Sequence, residues 1–207
     1  MGNIMVNVVT FTPTDYFGSN CHLIGCSDVY AVVDPSVDFD TVQKIHPEIK
    51  GKVKYVLLTH CHFDHIMHIK SWAEQGATVI VGKADAEGLS DAQINCYLGF
   101  LGIIDGYFGE YTAVNDGDRL PLANSEIRVI STPGHTAGGV CYRIENNLFV
   151  GDTVFADGGY GRCDLPGGDI TELERSIIKL ITREAEATVY PGHGRKTTLT
   201  EIIYNFS

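Results

Sequence analysis

The stretch Thr59-His60-Cys61-His62-Phe63-Asp64-His65 gathers three imidazoles and one carboxylate within six consecutive positions. It follows the apolar run Val53-Lys54-Tyr55-Val56-Leu57-Leu58, which reads as a buried strand. Four strong donors at the mouth of such a strand are costly to desolvate unless a cation sits among them, so the stretch reads as a metal centre. Alternation along extended or turning backbone sends His60 and His62 the same way, toward one ion. It sends Cys61 the opposite way, as a small apolar filler. Asp64 and His65 face elsewhere and can serve a second ion.

Moving outward, three more strand ends carry a histidine or an aspartate after a Gly- or Pro-rich turn. An expected strand over 126–131 runs into Thr132-Pro133-Gly134-His135-Thr136, where Pro and Gly forbid regular structure and a loop presents His135. A hairpin of strands 140–144 and 148–150 ends in Gly151-Asp152. A short strand over 187–190 ends in Pro191-Gly192-His193-Gly194. Each such residue alone is an ordinary turn residue. Together with the first cluster they make seven nitrogen and oxygen donors, the number two ions need if one carboxylate bridges.

The remaining pattern is mixed α/β. Strands are expected over 4–10, 29–33, 53–58 and 77–81, with helices over 38–49 and 66–75. The Val53–Leu58 strand delivers the cluster at its carboxyl end, where open α/β sheets place their sites. Thr171 and Glu174 read as a capping box opening a helix to about 181, with Leu173, Ile177, Ile178 and Leu180 for the core. Thr198 and Glu201 read as a second box before a terminal helix. Residues 83–115 lack a clean period. Tyr97, Phe100, Tyr107 and Phe108 there are either core packing or the lining of a substrate groove.

The chain has 207 residues, the size of one domain able to bury a core without disulfides. Its net charge of −11 argues against a nucleic-acid or anionic-membrane surface, though a metal site would reverse the local field for an anionic substrate. No apolar run approaches the roughly 20 residues of a membrane span. The first ten residues lack a signal-type core, so a cytoplasmic location is expected. Val6 stands where a myristoylation motif after Met1-Gly2 wants Ser or Thr. Six scattered cysteines without a C-x-x-C pair read as reduced thiols.

Thr59-His60-x-His62-x-Asp64-His65, Thr132-Pro133-Gly134-His135-Thr136, Gly151-Asp152-Thr153 and Pro191-Gly192-His193-Gly194 resemble, in order, the motifs of the metallo-β-lactamase superfamily. The segment Gly161-Arg162-Cys163-Asp164-Leu165-Pro166-Gly167-Gly168-Asp169 is similar to one in short glyoxalase II-like hydrolases. The resemblance implies a four-layer αβ/βα sandwich, two mixed sheets facing each other with helices outside and metals at one edge. It implies that His60, His62 and His135 hold one divalent metal and Asp64, His65 and His193 a second, with Asp152 bridging; zinc is expected, iron or manganese possible. Met67 and His68 stand where the glyoxalase pattern has small residues, and its helical carboxyl-terminal glutathione-binding domain is missing. His22 and His46 match no motif and read as surface or packing histidines.

The chemistry so implied is hydrolysis of a thioester such as S-lactoylglutathione. Two ions sharing a water bring its pKa from about 15.7 to about 7, and the resulting hydroxide attacks the acyl carbon. A thiolate leaves readily because its acid has a pKa of about 8.5. Asp64 would orient the nucleophile and Asp152 hold both ions. Arg162 is either an anchor for a substrate carboxylate or an ordinary salt-bridge partner of Asp164. Three rivals stand beside this reading. One is a persulfide dioxygenase with a single iron, whose family shares a Gly-Arg-x-Asp segment. Another is a lactonase or β-lactamase. The last is a non-catalytic metal-binding module, which would need only four closed ligands.

Overall fold

The computed structural model describes residues 6–14 and 18–205. Strands β1 (Val6–Phe11), β2 (Cys21–Cys26) and β3 (Val29–Val33) form an antiparallel meander. To it β4 (Val53–Leu57), β5 (Thr78–Gly82) and β6 (Thr112–Val114) add in parallel. The parallel steps require crossovers. Helix α1 (Phe39–Ile45) lies between β3 and β4, and the short helices α2 (Phe63–Ile66) and α3 (Ile69–Ala73) lie between β4 and β5. After α4 (Tyr97–Leu101) and β6, a second sheet starts with the antiparallel strands β7 (Arg119–Leu122), β8 (Ser125–Ser131), β9 (Val140–Ile144) and β10 (Asn147–Gly151). Helix α5 (Ile170–Arg183) then crosses to β11 (Thr188–Pro191), parallel to β10. The short β12 (Thr197–Thr198) and helix α6 (Leu199–Asn205) follow.

Period-two alternation divides the side chains into three apolar layers. Val32, Val56 and Val79 face α1 and α3, packing with Phe39, Val42, Ile69 and Trp72. Their neighbours Ala31, Val33, Tyr55, Leu57 and Ile80 face the second sheet and meet Val129, Tyr142, Phe149 and Tyr190. On the far side of that sheet Cys141, Leu148, Val150 and Val189 pack on Leu173 and Leu180 of α5 and Leu199 and Ile202 of α6. Three apolar layers between helix, sheet, sheet and helix make the four-layer αβ/βα sandwich expected.

The two sheets touch at one edge. There the Val140 amide donates to the Thr59 carbonyl at 2.8 Å and the buried Tyr142 hydroxyl to the Leu58 carbonyl at 2.8 Å. A Cβ on Gly82 would stand 2.0 Å from the Gly138 carbonyl oxygen, so only glycine permits this approach.

Several expected elements differ in their bounds, each for a local reason. The helix over 38–49 stops at Ile45, because Pro47 carries no N–H and instead opens a 3₁₀ turn, Pro47–Ile49. Asp38 caps it, accepting from the Thr41 amide at 2.9 Å. The helix over 66–75 starts earlier and breaks at Met67-His68, leaving α2 and α3. Helix α5 is capped by Asp169, which accepts from the Thr171 and Glu172 amides, so the expected Thr171/Glu174 box is not the cap. Ile178, expected in the core, is exposed, as is Ile45 at the end of α1. Thr198 does accept the Glu201 amide at 3.2 Å, but the Glu201 carboxylate turns to Arg195 and Thr197. Strands β2, β6, β7 and β12 were not anticipated. The start of the 4–10 strand and the Met1-Gly2 reading lie outside the described residues.

Candidate metal centre

All seven residues singled out in the sequence converge at the edge where the sheets touch. His60, His62, Asp64 and His65 come from the end of β4 and from α2, whose helical turn brings the His65 ring to 4.1 Å from the His60 ring, centroid to centroid. His135 follows β8, Asp152 follows β10 and His193 follows β11. Ligand atoms of His60, His62 and His135 lie within 4.8 Å of one another, and so do those of Asp64, His65 and His193. Asp152 stands between these triads. Its Oδ1 is 3.4 Å from His65 Nε2, and its Oδ2 is 3.7 Å from His135 Nε2 and 3.5 Å from His193 Nε2.

Hydrogen bonds on the outer side of the rings fix which nitrogen faces inward. His135 Nδ1 is 2.7 Å from the Arg162 carbonyl, which can only accept, so Nδ1 carries the proton and Nε2 is a bare lone pair. His65 Nδ1 donates to Asp34 Oδ2 at 2.8 Å, leaving its Nε2 bare beside two carboxylates. The Thr59 hydroxyl donates to the same Asp34 oxygen at 2.7 Å, so it accepts from His60 Nδ1 at 3.1 Å and turns His60 Nε2 inward. One buried carboxylate, Asp34, thus sets the tautomers of a histidine in each triad. Asp34 takes a left-handed φ of 50°, a conformation open to Asp at modest cost.

On the inward face of the first triad His62 Nδ1 lies 2.9 Å and His60 Nε2 3.2 Å from His135 Nε2. His62 Nε2, His65 Nε2 and Asp152 Oδ1 are buried with no hydrogen-bond partner among the described residues. Burial, reinforced by neighbouring rings, holds His60 well below the usual histidine range, and burial brings His62 to about 3. Burial opposes charge on His65, but the carboxylates of Asp64, Asp34 and Asp152 push its pKa well up. The Asp152 carboxyl is held below the usual range against burial by His65, His135 and His193. Neutral rings beside a pocket that recruits positive charge form the electrostatic signature of a cation site.

Besides Asp34, two supporting residues escaped the sequence reading. Buried Asp85, in the turn after β5, accepts from the Cys61 amide (3.2 Å), the Thr136 hydroxyl (2.7 Å) and the Gly138 amide (2.6 Å), tying the two histidine loops together. Burial raises its pKa. Asn20 donates to the Pro191 and Gly194 carbonyls at 3.0 and 2.9 Å, and its amide to the Gly192 carbonyl at 2.6 Å, clamping the loop that carries His193. Gly192 is required there, since a Cβ would stand 2.2 Å from Asp152 Oδ1. The only available signal for these residues was the Asx or Gly character of turns at strand ends. His22, expected as a surface or packing histidine, is a buried packing one, its ring 3.2 Å from the Pro191 carbonyl and 3.0 Å from the Thr10 hydroxyl.

Burial lowers the His22 pKa to about 4. The unfolded chain, with a histidine pKa of about 6.5, therefore binds the extra proton first as pH falls. His22 should cost stability progressively between about pH 6.5 and 4, by about 2 kcal/mol at pH 5. Urea midpoints of wild type and His22→Gln at pH 7 and 5 check this; wild type is expected to lose more on acidification.

The donors open onto a cleft of about 300 Å³ lined by Phe63, Cys96, Phe100, Phe155, Tyr160 and Leu165 beside His62, Asp64, His135, Asp152, His193 and Arg162. Of the four aromatics left open in the sequence, Phe100 lines the cleft, while Tyr97 is buried against Phe63. Tyr107 and Phe108 border a different groove. The Arg162 guanidinium grips Asp164 through Nε (2.7 Å) and Nη2 (2.6 Å) at the rim, so it is not a free anchor. Cys61 is buried in the layer under α3 and does not line the cleft. His68 lies before α3, and His46 pairs with Glu48 at 3.0 Å; neither joins the site.

The family model of the metallo-beta-lactamase superfamily matches residues 14–193, and the chain belongs to that superfamily. Among individual relatives, it is 32% identical to an uncharacterized protein of Mycobacterium tuberculosis over 93% of both chains. It is 30% identical to the probable polyketide biosynthesis zinc-dependent hydrolase PksB of Bacillus subtilis, over 78% of this chain and 66% of that one. It is 31% identical to the hydroxyacylglutathione hydrolase of Klebsiella pneumoniae, over 78% and 56%. Among solved structures, the BLEG-1 B3 metallo-beta-lactamase superposes with a TM-score of 0.85 at 26% identity, over 97% of both chains. TTHA1623 in a di-iron-bound form does so with 0.79 at 26%, over 95% and 98%. As a member of this superfamily the chain is a metal-dependent hydrolase by class. No helix among its described residues is long and apolar enough to cross a membrane.

Proposed function

We propose that this protein hydrolyses thioesters at a dinuclear site, with His60, His62 and His135 holding one ion, Asp64, His65 and His193 the other, and Asp152 shared. The observation that carries this reading is the pair of triads with inward lone pairs on either side of the Asp152 carboxylate, at the floor of an open cleft. Two divalent ions there would lower the pKa of water toward neutrality and polarise an acyl oxygen.

The chain's own groups do the positioning. Asp34, Thr59 and the Arg162 carbonyl hold the ring tautomers, and Asp85 holds the two histidine loops in register. Asp64 Oδ2, 3.2 Å from His193 Nε2 and partly exposed to the cleft, is placed to accept a proton from the attacking water. The aromatic walls exclude bulk solvent from the acyl carbon. Departure as thiolate requires little acid assistance, since thiols have pKa values of about 8.5.

Zinc is the ion we favour, supported by the zinc-dependent name of the Bacillus relative; iron is the rival, supported by the di-iron-bound neighbour. A thioester substrate is supported by similarity to the hydroxyacylglutathione hydrolase, and the B3 neighbour makes a β-lactam the second reading. We place the enzyme in the cytoplasm, acting on a small molecule. The test is hydrolysis of thioesters and a penicillin, with oxygen uptake on glutathione persulfide, all on one metal-analysed sample. Thioester cleavage is expected; lactam cleavage alone, or oxygen uptake with a single iron, contradicts the proposal.

A further inference from the structure

The cleft's walls and its charges say which thioesters fit, if the hydrolase reading holds. Phe63 and Phe100 lie 5.5 Å apart with rings inclined by 31°, making one apolar wall that Leu165 and Cys96 extend. Phe155, edge-on to His193 at 6.1 Å, also lines the cleft, as does Tyr160. Among the described residues lining the cleft, the one permanent cation is Arg162. Its guanidinium lies 5.8 Å over the Phe100 ring and is held in its fork by the Asp164 carboxylate. Beyond His193 the adjoining groove offers Arg195, and that guanidinium in turn is bound by Glu201.

An anionic ligand therefore meets no unclaimed guanidinium at the mouth of this site. It has to displace Asp164, gaining one ion pair while losing another, with the displaced negative charge still beside it. The net charge of −11 adds repulsion at longer range. An apolar ligand faces no such exchange, and burial against Phe100 and Leu165 rewards every methylene it carries.

We infer that the cleft selects thioesters whose acyl and thiol parts are apolar or uncharged, with Phe100 as the selecting wall and Asp164 as an internal competitor that withholds Arg162 from substrate carboxylates. The reaction itself is unchanged: a C–O bond to water forms as the C–S bond breaks, and the products are a carboxylate, a proton and a thiol.

The test uses two substrates with the same acyl group, S-butyryl-N-acetylcysteamine, which is uncharged, and S-butyrylglutathione, which carries two carboxylates. Wild type is expected to favour the uncharged ester in kcat/KM by tenfold or more. Asp164→Ala and Asp164→Asn should lower KM for S-butyrylglutathione by about two- to fivefold, the range of an exposed ion pair, with kcat unaltered. Both should leave the uncharged ester unaffected, and Asp164→Glu should behave as wild type. Calorimetric binding of S-butylglutathione, which cannot be hydrolysed, should tighten by the same factor. Phe100→Ala should raise KM for the uncharged ester by about tenfold, the loss of one partly buried ring. A wild-type preference for S-butyrylglutathione overturns the inference while leaving thioester hydrolysis standing, as does an unchanged KM in both Asp164 variants. Cleavage of neither ester overturns the hydrolase reading and this inference with it.

Discussion

Replacing Asp152 by alanine is expected to remove one ion from the protein and to abolish measurable hydrolysis. Asp152 is the carboxylate that reaches both triads, 3.4 Å from His65, 3.7 Å from His135 and 3.5 Å from His193. Loss of an outer hydrogen bond to a ligand costs roughly 10- to 100-fold in affinity or activity, and loss of the shared ligand itself should cost more. The fold should survive, because Asp152 sits in a turn after β10 and contributes to none of the three apolar layers. Metal analysis beside a thermal unfolding curve separates the two effects. A variant that keeps two ions and wild-type turnover would contradict the assignment.

Asp34 yields the second large effect, and its two substitutions should differ in kind. In Asp34→Ala the Thr59 amide, the Thr59 hydroxyl and His65 Nδ1 all lose a buried acceptor, at about 1–3 kcal/mol each. Thermal unfolding should therefore fall by roughly 10 °C for a chain of this size. In Asp34→Asn the amide oxygen can still accept from the Thr59 amide, and Asn tolerates the left-handed φ, so stability should fall less than in Asp34→Ala. Its NH₂, however, now faces His65 and favours the opposite tautomer, which points an N–H at the second triad, the error that disables a catalytic histidine whose orienting Asp is made Asn. Because the Thr59 hydroxyl that turns His60 donates to the same Asp34 oxygen as His65, ion affinity should drop about 10- to 100-fold at both triads. Metal titration of the two variants, read by calorimetry and unfolding, checks the contrast. Equal metal affinity in Asp34→Asn and wild type would refute this role for Asp34.

The candidate site was legible because its donors cluster in sequence. His60 to His65 announce themselves by density, and His135, Asp152 and His193 by the turn that follows each strand; the structure brings all seven together. The residues that hold the donors in place were not legible. Asp34 and Asp85 act through contacts 24 to 53 positions away, and Asn20 across 171 to 174, separations at which a lone Asp or Asn carries no local signal. The strong runs of β3, β4 and β8 pointed only to mixed α/β, and the layered sandwich was implied by the family resemblance of the motifs. Strand β2 was missed because Cys21-His22-Leu23-Ile24-Gly25-Cys26 mixes His and Gly into a segment buried on both faces, where alternation vanishes. The break after α2 and the Asp169 cap were misplaced because helix ends depend on which nearby side chain reaches the free amides, and Asp169 reached them before Thr171. Arg162 was read as either anchor or ion-pair partner, and the fold chose the partner, Asp164, two residues along.

The central claim is that two ions share Asp152, and a metal count tests it most directly. Protein purified without added metal should carry close to two ions per chain, falling to about one or fewer in Asp152→Ala. One ion per chain in wild type, unchanged in Asp152→Ala, would contradict the dinuclear site and every step built on it.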